Sequence, residues 1–156
     1  MGFESRYFAT NWGPEIGGRL HIMSTTYKFS EYQEKWLTDL ETTSAEQCTE
    51  GLANGSGGNC CLGRYYESRG ANYVQDAVTE ICSYNGNSAA LGKLALRELR
   101  LHSRFGKILI ENVSPEWRRE LKAYGHLTEL NDNLRWSFKK IAQFIRANPE
   151  AVFENG

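Results

Sequence analysis

The residues that most readily suggest covalent chemistry are Cys60 and Cys61, which stand side by side ahead of Leu62-Gly63-Arg64. A thiol near a guanidinium or a helix N-terminus can be lowered in pKa and attack as a thiolate. A thiol-dependent hydrolase or transferase is therefore one reading of these residues. The competing reading makes both thiols small buried apolar groups, because cysteine is among the most buried residue types. No histidine lies near them in sequence to act as a base. Burial is the preferred reading, and no catalytic residue is assigned.

Two stretches could bind rather than react. Gly51 to Asn59 is a glycine-rich loop, and Asn54, Gly55, Gly57, Gly58 and Asn59 could offer backbone N–H groups to a phosphate. The loop lacks the Lys-Ser/Thr ending of a P-loop and the spacing of a dinucleotide fingerprint. Its Asn54-Gly55 pair equally suits a tight hairpin or connector. Farther on, Lys93, Arg97, Arg100 and Arg104 recur at helical spacing and are expected to project together. Such a face can meet phosphates or an acidic partner; a plain solvated face is the alternative. The cysteines, which also include Cys48 and Cys82, form no CxxC pair with one another. His21, His102 and His126 show no HxxxH spacing, so no metal site and no cofactor are expected.

The totals narrow the classes further. A length of 156 residues suffices for one domain with its own core. A net charge of −1 argues against non-specific nucleic-acid binding, which usually shows as a basic excess. No apolar run reaches the length of a membrane span, and the N-terminus lacks the apolar core of a signal peptide. Reduced thiols are then the expected state of all four cysteines.

The elements that must position these residues are mostly helical. Residues 1–22 read as an irregular arm carrying Phe3, Tyr7, Phe8 and Trp12, and Met23 is a plausible alternative start. Residues 23–156 read as the globular domain. Ser30 with Gln33 forms a capping-box signature, with Phe29 as staple and Tyr32, Trp36, Leu37 and Leu40 on one face. Val74, Ala77, Val78, Ile81 and Cys82 fit a short amphipathic helix, and Ser88 is expected to cap another that runs to Gly106. Lys107 to Val113 is the best strand candidate. Ser114-Pro115-Glu116 opens a helix carrying Trp117, Leu121 and Tyr124, with Gly125 as its stop. The last helix carries Leu134, Phe138, Ile141, Ala142 and Ile145, is capped by Asp132, Asn133 or Ser137, and ends before Pro149. Capping accounts for Asn131 and Asp132 without a polar site. The fold expected is α+β, helix-dominated, a single compact domain with a few short strands.

Trp36 with Leu40, the loop Gly55 to Asn59, Cys60 to Gly63, Leu127 with Leu130 to Asp132, and Phe138 with Ile141, Ala142 and Ile145 together form a pattern. It resembles a family of small proteins spread among tailed phages and prophages. The likeness covers both flanks of Trp36 to Ile145; the middle, from Ser88 to Ile108, departs from it. It implies a phage setting, the cytoplasm of the infected bacterial host, and no particular activity. A second stretch, Leu91 to Leu127, is similar in element order to the second half of GNAT acetyltransferases. Those enzymes hold a coenzyme A pyrophosphate on an Arg/Gln-x-x-Gly-x-Gly/Ala loop, which Tyr84 to Leu91 does not supply.

The function expected is a non-enzymatic phage accessory protein that binds a host protein or a small nucleotide-like ligand, with a homo-oligomer also open. Its candidate surfaces are the glycine loop and the cations Arg97, Arg100 and Arg104. A virion component that uses the N-terminal arm for assembly is the third reading.

Overall fold

The computed structural model describes residues 26–155, so the arm assigned to residues 1–22 lies outside the described residues. Helix α1 spans Glu31–Thr42 and begins with the expected box: Ser30 Oγ accepts from the Gln33 N–H, and Gln33 Oε1 accepts from the Ser30 N–H. Gln33 is itself buried, and its Nε2 donates to the Leu99 carbonyl at 2.9 Å, so the cap also ties α1 to a later segment. The apolar face of α1 places Trp36, Leu37 and Leu40 in the core. Removing a ring such as Trp36 from a core costs about 3–5 kcal/mol.

Helix α2 (Gly63–Ser68) packs on α1. Gly63 is required there, because a Cβ would lie 1.9 Å from the Leu52 carbonyl oxygen. Next comes a two-stranded antiparallel hairpin, β1 (Val74–Gln75) with β2 (Cys82–Ser83), in the register Val74 opposite Ser83. The amphipathic helix expected here does not form. Asp76 Oδ1 accepts from the N–H groups of both Val78 and Thr79, closing a turn that competes with a helix. Val78 and Ile81 are exposed, so the three- and four-residue spacing had no core to face.

Helix α3 is shorter than expected, Lys93–Leu99, and begins at Gly92 rather than Ser88. It ends where Arg100 adopts a left-handed conformation (φ 61°), so Arg104 lies beyond it. Leu94 of the expected apolar stripe is exposed. The predicted strand 107–113 is likewise replaced. Ile108 donates its N–H to the Gly125 carbonyl and Leu109 donates to that of Ala151, after which Ile110–Asn112 forms a 3-10 turn. Successive N–H groups thus go to different segments, and no neighbouring strand continues the pairing.

Helix α4 (Pro115–Leu121) follows Ser114 as expected but stops at Lys122 and Ala123, both at positive φ, before Gly125 is reached. Leu127–Asp132 is a separate helix, α5, so Asp132 ends one helix instead of capping the next. The cap of α6 (Phe138–Ala147) is Ser137, whose Oγ accepts from the Lys140 N–H at 3.1 Å. Phe138, Ile141, Ala142, Phe144 and Ile145 of α6 are buried. After Pro149 the chain makes one more turn, α7 (Pro149–Val152), which brings Phe153 onto Trp36 at a ring separation of 6.4 Å. Among the described residues the fold is thus seven α-helices and one small antiparallel sheet, a helix-dominated α+β architecture. Its centre is the contact of α1 with α6 and α2 around a single hydrophobic cluster.

Candidate functional site

The cysteine segment enters α2 from inside the core. Cys60 and Cys61 are both buried, and Trp36 Nε1 donates to the Cys61 carbonyl at 2.9 Å. Burial pushes the Cys60 thiol up to about 12. Burial and the neighbouring Cys60 push Cys61 up as well, and burial with Asp132 nearby raises Cys48 to about 11. Neutral thiols at pH 7 follow directly. The cation once available to activate them is engaged elsewhere: Arg64 makes two hydrogen bonds of 2.8 Å to Asp39 and one of 3.0 Å to Asn59 Oδ1. Cys61 Sγ donates to the Leu127 carbonyl, not to a base. His126 pairs with Glu129 at 3.3 Å. Among the described residues the geometry therefore brings no base to Cys60 or Cys61, and their burial favours the neutral thiol.

What the motif does instead is structural. Asn131, buried on α5, accepts from the Cys61 N–H at 3.1 Å and from Gln47 Nε2 at 2.7 Å, and it donates to the Cys48 carbonyl at 2.8 Å. One carboxamide thus joins three separate stretches of chain, a role that capping does not describe. Asp132 beside it accepts from the Glu50 N–H at 3.2 Å. A second buried set runs from Asn59, whose Nδ2 donates to Tyr84 Oη at 2.7 Å, to Glu67, which accepts from that hydroxyl at 2.5 Å. Burial and the Glu67 carboxylate raise the Tyr84 pKa, holding the hydroxyl protonated as the donor.

The glycine loop closes on itself. Asn54 Oδ1 accepts from the N–H groups of Ser56 (3.0 Å) and Gly58 (2.8 Å), and the Gly57 N–H turns to the Asn54 carbonyl. The Asn59 N–H donates to the Glu46 carbonyl at 2.9 Å. Of the N–H groups proposed to hold a phosphate, those of Asn54, Gly57, Gly58 and Asn59 donate within the chain, and that of Gly55 does not donate to any described residue. Gly55 and Gly57 stay exposed at the loop tip, while Asn59 is drawn into the core.

The cations are divided. Arg97 and Arg100 lie with Lys93 and His102 around an open depression of about 560 Å³, which Glu154 also lines. Lys93, Arg97 and Arg100 are exposed and make no ion pair with another described residue. His102 Nε2 is buried without a hydrogen-bond partner among the described residues. Arg104 is elsewhere: its Nε donates to the Leu91 carbonyl at 2.7 Å and its Nη2 reaches Asn87. Asn54 to Asn59 take no part in this depression.

Sequence reasoning missed the linking role of Asn131, the Arg64–Asp39 pair and the Tyr84 set. The first left no distinct signal, because Asn131 opens the polar run Asn131-Asp132-Asn133. Arg64 and Asp39 lie too far apart in sequence to announce each other. Among the described residues no cluster of metal-ligating side chains occurs, and no helix is long and apolar enough to cross a membrane. No protein-family model, curated protein sequence or solved structure matches this chain. The phage likeness rests on its quoted motifs alone.

Proposed function

We propose that this chain is a non-catalytic accessory protein of phage type that binds an acidic surface of a host protein through the basic end of α3. The observation that carries this reading is the grouping of Lys93, Arg97, Arg100 and His102 around one depression, with the three long cations unpaired among the described residues. Structural arginines in this fold look different: Arg64 and Arg146 are each bound to carboxylates, Arg146 to Glu41 at 2.6 Å and to Glu34 at 2.8 Å. Cations left without partners raise the local potential and draw in a negative surface, even in a chain of net charge −1. Burial of the thiols supports the non-catalytic part of the reading.

A labelled poly-glutamate peptide tests it by fluorescence anisotropy. Binding is expected at low salt, should weaken as salt rises, and should fall tenfold or more in the Arg97→Glu/Arg100→Glu double variant. Equal binding by the wild type and the double variant would overturn the assignment. A single-stranded oligonucleotide that outcompetes the peptide would move the proposal from a protein partner to a nucleic acid.

A further inference from the structure

A second recess lies beside the basic end of α3 but opens between α2, the Tyr84–Asn87 turn and the start of α3, with a volume of about 360 Å³. That is within the range of small-ligand pockets, about 300–1,000 Å³. Tyr65, Ala71 and Ala95 give it apolar walls, and Leu94 stands at its lip. Leu94 is 62% exposed, although it belongs to a helix that buries Ala95 and Leu99. A large aliphatic side chain beside an open cavity is available to cover an apolar body placed there.

The polar lining of the recess is mixed, with Arg69, Lys93, Glu98, Asn85 and Asn87 in it beside the buried Tyr66. Tyr66 is 5% exposed, and its Oη accepts from the Gly92 N–H at 2.9 Å. Both partners of that bond line the recess, and the Tyr66 O–H has no acceptor among the described residues. A buried hydroxyl with a proton still to give calls for an acceptor. Lys93 adds a cation at the same rim, and the exposed Asn85 adds a carboxamide. Glu98 is paired with Arg69 at 3.7 Å. The close approach at the rim depends on Gly92, where a Cβ would lie 2.6 Å from Asn87 Nδ2 and 3.4 Å from Tyr66 Oη.

We propose that this recess is a binding site for a small organic anion, a carboxylate or phosphate ester on a compact apolar body. Its acid group meets the Tyr66 hydroxyl and the Lys93 ammonium, and its apolar part lies against Ala95, Ala71 and Leu94. The site shares Lys93 with the basic end of α3 but uses neither Arg97 nor Arg100, and it does not depend on the proposed protein partner.

Amide NMR on the intact protein tests the site with benzoate, phenyl phosphate, neutral benzamide and inorganic phosphate as probes. At least one of the two aromatic anions is expected to shift the Gly92 and Ala95 amides, and the pair shows whether carboxylate or phosphate is preferred. Benzamide and inorganic phosphate are expected to leave those amides in place. Tyr66→Phe should weaken the shifting anion about tenfold, the effect of one hydrogen bond to a charged group. Arg97→Glu/Arg100→Glu should weaken that anion less than Tyr66→Phe does, through the altered local potential alone, while weakening poly-glutamate binding tenfold or more, so the two proposals fail separately. No shift at Gly92 with either anion would overturn the site. Equal shifts with benzamide, equal shifts with inorganic phosphate, or loss of binding in the double arginine variant would each do the same.

Discussion

Around Cys60 and Cys61, Arg64 gives two hydrogen bonds to Asp39, and Asn131 accepts from Cys61 while donating to Cys48. At the basic end of α3, Lys93, Arg97 and Arg100 make no ion pair with any described residue. The two regions carry polar groups of similar strength and use them in opposite ways. In the first, the partners are supplied by the chain itself, in places where an unmet polar group would be costly. In the second, the groups face solvent and can exchange water for a ligand. The residues most suggestive of chemistry in the sequence thus hold the fold together, and the plainer charged helix is the surface we propose for a partner.

This contrast can be broken most severely at Asn131. Asn131→Ala leaves the Cys61 N–H and the Cys48 carbonyl unmet in the core, and a loss of about 4 kcal/mol in urea unfolding is expected. Next comes Arg64→Ala, which strands the Asp39 carboxylate in a pair whose side chains are only 12% and 18% exposed. Its expected cost is about 3 kcal/mol by the same measurement.

The thiols sharpen the comparison through pH. Cys60 is raised in the fold to about 12 from an ordinary value of 9.0, so the folded chain keeps a proton that the unfolded chain releases. Stability from this source is intact below pH 9, and falls as pH rises from 9 towards 12. Urea midpoints measured across that window should decline, and Cys60→Ala should flatten the decline. Smallest of all is the effect of Arg97→Glu/Arg100→Glu on stability, expected to be within about 0.5 kcal/mol because nothing described is paired with either side chain. A large loss of stability there would place these arginines in the scaffold.

How much of this could be read from the chain followed the range of the interaction. The Ser30–Gln33 box, the Ser114-Pro115 start and the helix Phe138–Ala147 are local signals, and the structure contains all three. The hairpin at Val74–Ser83 was misread because its apolar spacing suits a helix; the Asp76 turn and the lack of a facing core decide otherwise. Lys107 to Val113 has strand composition without a strand to pair with. The division of Arg104 from Arg97 and Arg100 turned on where α3 stops, and Arg100 stops it in a left-handed conformation that composition does not announce. Asn131 reads in the sequence only as the first of three polar residues, Asn131-Asp132-Asn133, because its partners Gln47, Cys48 and Cys61 come from far earlier in the chain. The recess at Tyr66 was beyond sequence reasoning, since it is built by three segments that meet only in the fold.

The most direct measurement of the central contrast is a parallel titration of labelled poly-glutamate peptide into the wild type, the Cys61→Ala variant and the Arg97→Glu/Arg100→Glu variant, each confirmed as folded by circular dichroism. Wild type and Cys61→Ala are expected to bind alike, and the arginine variant at least tenfold more weakly. Loss of binding in Cys61→Ala with retention in the arginine variant would contradict the account and return function to the cysteine segment.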